Sequence, residues 1–216
     1  MPSATLEEYL EVIYKHSLEG VVRPAQLAEA LAVSAPTVTS TLRRLEAAGL
    51  VTRPGLGVEL TESGRREALA IVRRHRVAER FLVDALGLPW ETAHEEACRL
   101  EHALSERVLA ALEVFLDNPD VCPHGHPIPS ATLDVAASEG LPLSAIPAGS
   151  SAIVVSVPED DEEVLAYFGA IDMRPGVRLL VEQAAPFAGP LLLVVEDRHV
   201  PVDRGVAARI LVRPEF

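Results

Sequence analysis

Residues 22–51 read VRPAQLAEALAVSAPTVTSTLRRLEAAGLV, and the fold turns on how this stretch is parsed. Its apolar spacing predicts a short helix over about 24–31, a turn at Ala32, Val33 and Ser34, and a second helix over about 35–48. Ser34 stands where a hydroxyl caps the second helix. Pro36 suits the first turn, where the N–H it lacks has no helical partner, and Gly49 suits the end. Two short helices joined by a turn of about three or four residues make a helix-turn-helix. Just downstream, LVTRPGLGVELTESG (residues 50–64) alternates as two short strands around Arg53–Gly57, which predicts a hairpin or wing. Leu6, Leu10, Ile13 and Tyr14 place a further helix over about 5–18.

A helix that reads DNA needs short polar groups near its start to reach base edges, and cations to hold phosphates. The second helix carries Thr37, Thr39 and Ser40, followed by Arg43 and Arg44. With Arg23, Ser34 and Pro36 these are the candidate DNA-contacting residues. The alternative is a winged-helix domain that contacts only protein.

The chain has 216 residues, enough for two or three domains. Hydrophobic residues make up 49%, ample for packed cores. No apolar run approaches the roughly 20 residues that cross a bilayer. The start, MPSATLEEYLEVIY, lacks the basic and apolar regions of a signal peptide. A cytoplasmic protein without a membrane partner is expected, with Cys98 and Cys122 as reduced thiols. The net charge of -13 is uneven: residues 1–75 hold nine Lys+Arg and nine Asp+Glu, the remainder ten and twenty-three. A neutral head can bind DNA through a local basic face, while carboxylates in an acidic body suit cations.

Thr61 opens a helix expected to run through Arg73 and His75 to about Leu86, where Gly87-Leu88-Pro89-Trp90 breaks it. Glu91 to Leu116 contains neither Pro nor Gly and reads as one long helix. On it His94, Cys98, Glu101 and His102 share a stripe, because residues three, four, seven and eight apart lie on one helical face. Imidazole, thiolate and carboxylate side by side are transition-metal ligands, and a solvated face has no need of that set. HEEAC (94–98) departs from the His-Glu-x-x-His metalloprotease signature at its second ligand. With no phosphate loop or nucleophile elbow either, an enzyme such as a metallohydrolase is disfavoured and no small-molecule substrate is expected.

From about 118 to 150 the composition turns to Pro, Gly, Ser and Ala, a loop and linker. Cys122, His124 and His126 fall in it. A proline-rich loop is expected to point them in unrelated directions, so they read as a rigid turn rather than a metal site. Then AIVVSV (152–157), RLLVEQ (178–183), LLLVVED (191–197) and ARILVR (208–213) read as strands of a small antiparallel barrel, with one helix in EDDEEVLAYFGAI (159–171). The expected fold class is mainly α with β. It comprises a winged helix-turn-helix (1–73), a helical domain carrying the ligand stripe (74–140) and a small β-barrel domain (147–216).

HRVAERFLVDALGLPWETAHEEACRLEHALSERV (75–108) resembles the metal-binding and dimerisation segment of the diphtheria toxin repressor family of iron- or manganese-dependent transcriptional regulators. SAPTVTSTLRRLEAAGLV (34–51) is similar to that family's recognition helix, and CPHGHPIPS (122–130) to its interdomain loop. The resemblance implies a homodimeric, metal-activated repressor on palindromic operator DNA, controlling metal-homeostasis genes, with up to two ions per chain. By the same resemblance 74–140 is a metal-binding and dimerisation domain and 147–216 an SH3-like, FeoA-type domain. It makes His75, Glu79 and His94 ancillary ligands and Cys98, Glu101 and His102 primary ones, completed from the first helix. There Glu8 replaces the methionine of iron-sensing members. Manganese-sensing members carry carboxylates at that position and at the position of Glu11, but a glutamate where this chain has Cys98. The third domain of the family adds a carboxylate or carboxamide, for which Ser156, Glu159 and Asp160 are the candidates, Ser156 departing from a family glutamate. Mn2+ is the expected activator on its hard oxygens, with Fe2+ the alternative. A metal-independent winged-helix regulator with an incidental polar stripe is the competing function.

Overall fold

Ser34 accepts the N–H of Thr37 at 3.3 Å and so starts the second helix of the helix-turn-helix where the sequence places it. The structure, a computed structural model, describes residues 3–18, 20–137, 139–159 and 161–215, with Glu162 described through its backbone alone. The chain divides into two units, Met1–Arg74 with Pro129–Asp134, and His75–Ile128 with Val135–Phe216. Among the described residues no helix is long and apolar enough to cross a membrane.

The first unit is the winged helix. It holds α1 (Ala4–Ser17), α2 (Pro24–Ala30), α3 (Ala35–Ala47), β1 (Val51–Thr52), β2 (Glu59–Leu60) and the start of α4 (Glu62–Arg80). Val51 pairs with Leu60 and Thr52 with Glu59, which makes the residues between them the wing. Leu10, Ile13, Leu27, Val38, Leu42 and Leu45 are wholly buried and form its core. On α3 the buried positions Val38, Thr41, Leu42 and Leu45 follow helical periodicity and turn the opposite, polar face to solvent. Gly64 is obligatory for packing: a Cβ there would stand 1.8 Å from the Leu50 carbonyl oxygen.

The second unit begins inside α4, which passes into one π-helical turn, Phe81–Ala85, before α5 (Trp90–Leu100). The single helix expected over Glu91–Leu116 is broken. A 3-10 turn, Glu101–Ala103, ends α5, and α6 (Glu106–Phe115) starts afresh. The break has a local cause. Leu104 is extended, and the Ser105 hydroxyl accepts the N–H of Val108 at 3.3 Å. That cap outcompetes helix continuation. Leu104 is thereby buried among Ala78, Leu82, Ala93 and Ala97.

After the loop come β3 (Leu141–Pro142), β4 (Ser150–Ser156), α7 (Glu162–Ala170), β5 (Arg178–Ala184), β6 (Leu191–Val195), β7 (Arg198–Val202), α8 (Arg204–Arg209) and β8 (Leu211–Pro214). They form one six-stranded sheet in the order β3-β8-β4-β5-β6-β7, every pair antiparallel. Register shifts at Val154/Ser156 and Val181/Gln183 are the bulges that bend such a sheet. β3 and β7 go beyond the four strands read from the sequence. β7 carries Pro201, which its place at the end of the ladder tolerates. Within ARILVR, Ala208 and Arg209 end α8, and the strand begins at Leu211. Both cysteines are free thiols.

Trp90, at the start of α5, is part of the same core as Leu165, Phe168, Met173, Val181 and Leu193. It fits because α7 has Gly169, where a Cβ would stand 2.8 Å from the indole Nε1. Gly to Ala in a helix normally stabilises by about 0.5–1 kcal/mol. Here overpacking, costing about 1–3 kcal/mol, wins. Gly169→Ala is therefore expected to lower the urea midpoint at unchanged slope; an unchanged or raised midpoint would show that the indole yields.

Candidate metal centre

Helical spacing builds the first part of the centre. His75 and Glu79 lie one turn apart on α4, both 0% exposed, and His94 and Cys98 one turn apart on α5. Glu79 Oε1 is the hub, with His75 Nε2 at 3.1 Å, His94 Nδ1 at 3.2 Å and His124 Nδ1 at 3.4 Å. His75 Nδ1 lies 2.7 Å from Glu101 Oε2, and His102 Nε2 lies 3.4 Å from Glu101 Oε1. Cys98 Sγ is 3.9 Å from His75 Nδ1 and 3.8 Å from His94 Nε2. Of the stripe read from the sequence, His94 and Cys98 meet directly, while Glu101 and His102 are carried on the 3-10 turn rather than on α5.

The second part comes from the loop whose side chains were expected to diverge. Cys122 and His124 instead join Glu79 and Glu159: one ligand atom from each lies within 4.8 Å of the others, and all four residues are buried. Backbone chemistry folds the loop this way. Cys122 N–H donates to His126 O at 2.9 Å, Gly125 N–H to Cys122 O at 3.0 Å, and Val157 N–H to His124 O at 3.0 Å. Gly125 has φ +88°, and a Cβ there would stand 2.0 Å from Val155 O, so no other residue lets the loop lie on β4. His126 stays outside the four-residue group: its Nε2 donates to Val157 O at 2.8 Å and stands 3.6 Å from Glu159 Oε2. The turn chemistry of Cys-Pro-His-Gly was the available signal for this grouping; extended-chain spacing concealed it.

His124 Nε2 donates to Trp90 O at 3.0 Å, so in the neutral ring Nδ1 carries the lone pair. That Nδ1 and the buried Glu79 Oε2 both lack a hydrogen-bond partner. Orphaned lone pairs beside a thiol and a second carboxylate are what a transition-metal ion satisfies, so the donor set fits one. Glu159 lies 3.9 Å from Cys122 Sγ and from Arg76 Nη2, while Arg76 Nη1 donates to Pro127 O at 2.6 Å.

Burial opposes charge throughout, and the partners decide the outcome. Burial would raise the Glu79 carboxyl, but in the metal-free protein the charge of His75 and hydrogen bonds from a protonated His124, from His75 and from His94 hold it well below the usual range. Cys98 is likewise raised by burial and lowered further by His75 and His94, to about 7. Cys122, buried beside the Glu79 and Glu159 carboxylates, is pushed well above an ordinary thiol. His124 is raised by Glu79 and Glu159 against its burial, whereas burial lowers His126.

Of the remaining expected ligands, Glu8 is exposed on α1, and Glu11, buried, pairs with Lys15 at 3.0 Å; both belong to the first unit. Ser156 is buried but joins no ligand cluster among the described residues, and Asp160 lies outside them. On α3, Pro36, Thr37, Thr39, Ser40, Arg43 and Arg44 are exposed, as are Ser34 and Arg23 in front of their helices.

Fold and ligand clusters together define a protein with a winged-helix unit and, in its second unit, a candidate metal centre. Residues 1–55 match the iron dependent repressor N-terminal DNA binding domain, 61–130 the iron dependent repressor metal binding and dimerisation domain, and 141–214 the FeoA domain. The iron-dependent repressor IdeR of Mycobacterium tuberculosis is 38% identical over 222 residues, covering 96% of each chain. A solved manganese-dependent transcriptional repressor in complex with manganese superposes with TM-score 0.90 at 36% identity, over 97% of this chain and 100% of that one. ScaR with bound Cd2+ gives 0.86 at 28%, over 98% and 99%. The chain belongs to the iron-dependent repressor family.

The two thiols differ in a way that chemistry can read. The thiolate is the reactive form, so alkylation of Cys98 by iodoacetamide in metal-free protein is expected to accelerate as pH rises through about 7. Cys122 is expected to stay unmodified until the protein is denatured. Peptide mass spectrometry checks both; a Cys98 profile centred near an ordinary thiol value would remove the influence of His75 and His94.

Proposed function

We propose that the chain is a metal-activated repressor that binds double-stranded, palindromic operator DNA as a homodimer, with Mn2+ as the activating ion and Fe2+ the alternative. The observation that carries the reading is the buried set Glu79, Cys122, His124 and Glu159 with its two orphaned ligand atoms, in a chain whose α3 turns a polar, arginine-bearing face to solvent. His75, His94 and Glu79 are proposed as ancillary ligands with Glu159, and Cys98, Glu101 and His102 as primary ones. Glu8, Glu11 and Asp160 are proposed as ligands on the family resemblance alone. A bound divalent ion supplies positive charge that offsets clustered carboxylates and thiolates. Carboxylates from Glu79, Glu101 and Glu159 favour manganese, while Cys98 and Cys122 lean toward iron or zinc.

Residues of the chain divide the remaining work. Thr37, Thr39 and Ser40 are placed for base edges, and Arg43 and Arg44 for phosphates. A groove of about 440 Å³ lined by Phe81, Arg107, Val108, Ala111, Leu112 and Phe115 supports α6 as the dimer face, since exposed Val108 and Phe115 gain by burial against a second copy. A metal-independent regulator is the second reading, and a chelator that leaves DNA binding unchanged would establish it.

Glu101→Ala is expected to remain a folded dimer and to lose metal-activated operator binding, measured by fluorescence anisotropy with Mn(II), Fe(II) and Zn(II) compared at matched free concentrations. Normal metal dependence in that variant would sink the role of Glu101. Wild type half-activated at lower free Fe(II) than Mn(II), in proportion to availability, would transfer the assignment to iron.

Arg44→Ala is expected to weaken binding to all sequences alike and to reduce the salt slope by about one. A changed base preference at unchanged slope would contradict phosphate contact.

A further inference from the structure

The tip of the β5–β6 hairpin reads AAPFAGP (184–190) and carries no charged residue. Phe187 at its centre is 102% exposed, more than any other large hydrophobic residue among those described. Phe187 and Ala188 both have φ +57°, a left-handed conformation that strains a residue with a bulky side chain. The turn is nevertheless held. Ala185 N–H donates to Pro190 O at 3.0 Å and Gly189 N–H to Pro186 O at 3.1 Å, while Arg204 Nε donates to Gly189 O at 2.8 Å and its Nη2 to Ala185 O at 3.4 Å. A fixed, strained turn that keeps an apolar patch in water is a knob prepared for contact.

Beside it lies a groove of about 280 Å³, lined by Val164, Tyr167, Pro201 and Val206. Asp161, Glu163 and Asp203 stand around it, and no cation is among the lining residues. Tyr167 Oη donates to Pro201 O at 3.0 Å, which ties α7 to β7 at the groove. About 150 Å³ of apolar space already takes a benzene ring. Knob and groove are neighbours: Leu191, directly after the hairpin tip, pairs with Val202 of the groove, and Arg204, which holds the tip, follows Asp203 of the rim.

We propose that this surface of the third domain docks a second copy of the chain, Phe187 of each copy entering the groove of the other. A knob and a groove side by side form a self-complementary patch, which a two-fold contact requires because each residue pair then occurs twice. A different partner would need only one of the two. Charge points the same way: the apolar tip rests on the Arg204 guanidinium, and the groove that receives it is rimmed by carboxylates alone. The turn is already ordered, so docking removes little conformational freedom. The patch shares no residue with the α6 groove, so it joins one α6 dimer to another. That consequence rests on the dimer reading above, whereas the third-domain contact does not. Dimers linked in this way load neighbouring DNA sites cooperatively, because the second binding event becomes intramolecular.

Sedimentation velocity of the full-length protein over rising concentration tests this. Wild type is expected to pass from its low-concentration form to one of twice the mass, at higher concentration as salt is added. Phe187→Ala and Val206→Asp are each expected to weaken that step several-fold at unchanged melting temperature. Glu163→Lys, at an exposed position, reverses one rim charge and is expected to weaken it as well. A mixture of Phe187→Ala with Val206→Asp keeps one complete knob-and-groove pair and is expected to associate more tightly than either variant alone. Wild type that never doubles, or wild-type doubling in both Phe187→Ala and Glu163→Lys, overturns the contact. A mixture no tighter than its components overturns the reciprocal pairing. A monomer that doubles through Phe187 upholds the contact and overturns the α6 dimer instead.

Discussion

A carboxylate without solvent access, faced by three imidazoles, is the constraint on which the second unit depends. An isolated buried carboxylate costs several kcal/mol. Glu79 is 0% exposed and stays ionised because His75, His94 and His124 converge on one of its oxygens. Two of those rings are in turn held elsewhere, His75 by Glu101 and His124 by the Trp90 carbonyl. Moving any of these partners leaves a buried charge or a buried imidazole uncompensated, so electrostatics fixes where α4, α5 and the 122–128 loop meet.

Packing delivers the loop to that charge. Trp90 is core for the sheet and, through its backbone oxygen, the anchor for His124. Gly169 gives the indole room, and Gly125 lets the loop lie against β4, whose far end leads to Glu159. A sequence run that looks like linker is thus tied by backbone hydrogen bonds on both sides of its two ligands. The donor set that results is mixed: oxygens from Glu79 and Glu159, sulfur from Cys122, nitrogen from His124. Such a set selects an ion through coordination number and availability more than through raw affinity.

Charge separates the labours of the chain. The first 75 residues are neutral, so the arginines of α3 are not opposed by the excess acid that the rest of the sequence carries. Buried Arg74 pairs with Glu7 at 3.5 Å within the first unit, whereas Arg43 and Arg44 of α3 are exposed. The acidic remainder places part of its excess where it is buried and paired, at Glu79, Glu101 and Glu159.

Local chemistry determined the winged helix: a capping serine, a proline in the first turn, glycine after the last, and apolar spacing that only a helix satisfies. Apolar spacing likewise placed α1 and α2 to within about a residue and α7 inside the 159–171 run, and gave the strand character of β4, β5 and β6 and the pairing of His94 with Cys98 one turn apart. Three features needed the folded chain. The break at Leu104 and Ser105 depended on whether capping or continuation won, which turned on burying Leu104. The edge strands β3 and β7 exist because β8 and β6 offer them partners, since two to five residues have little strand preference of their own. The union of Cys122 and His124 with Glu79 and Glu159 joins residues up to 80 positions apart. It rests on a left-handed glycine lying against a strand, a contact no spacing rule contains, because nothing in the local sequence says which surface the loop will meet.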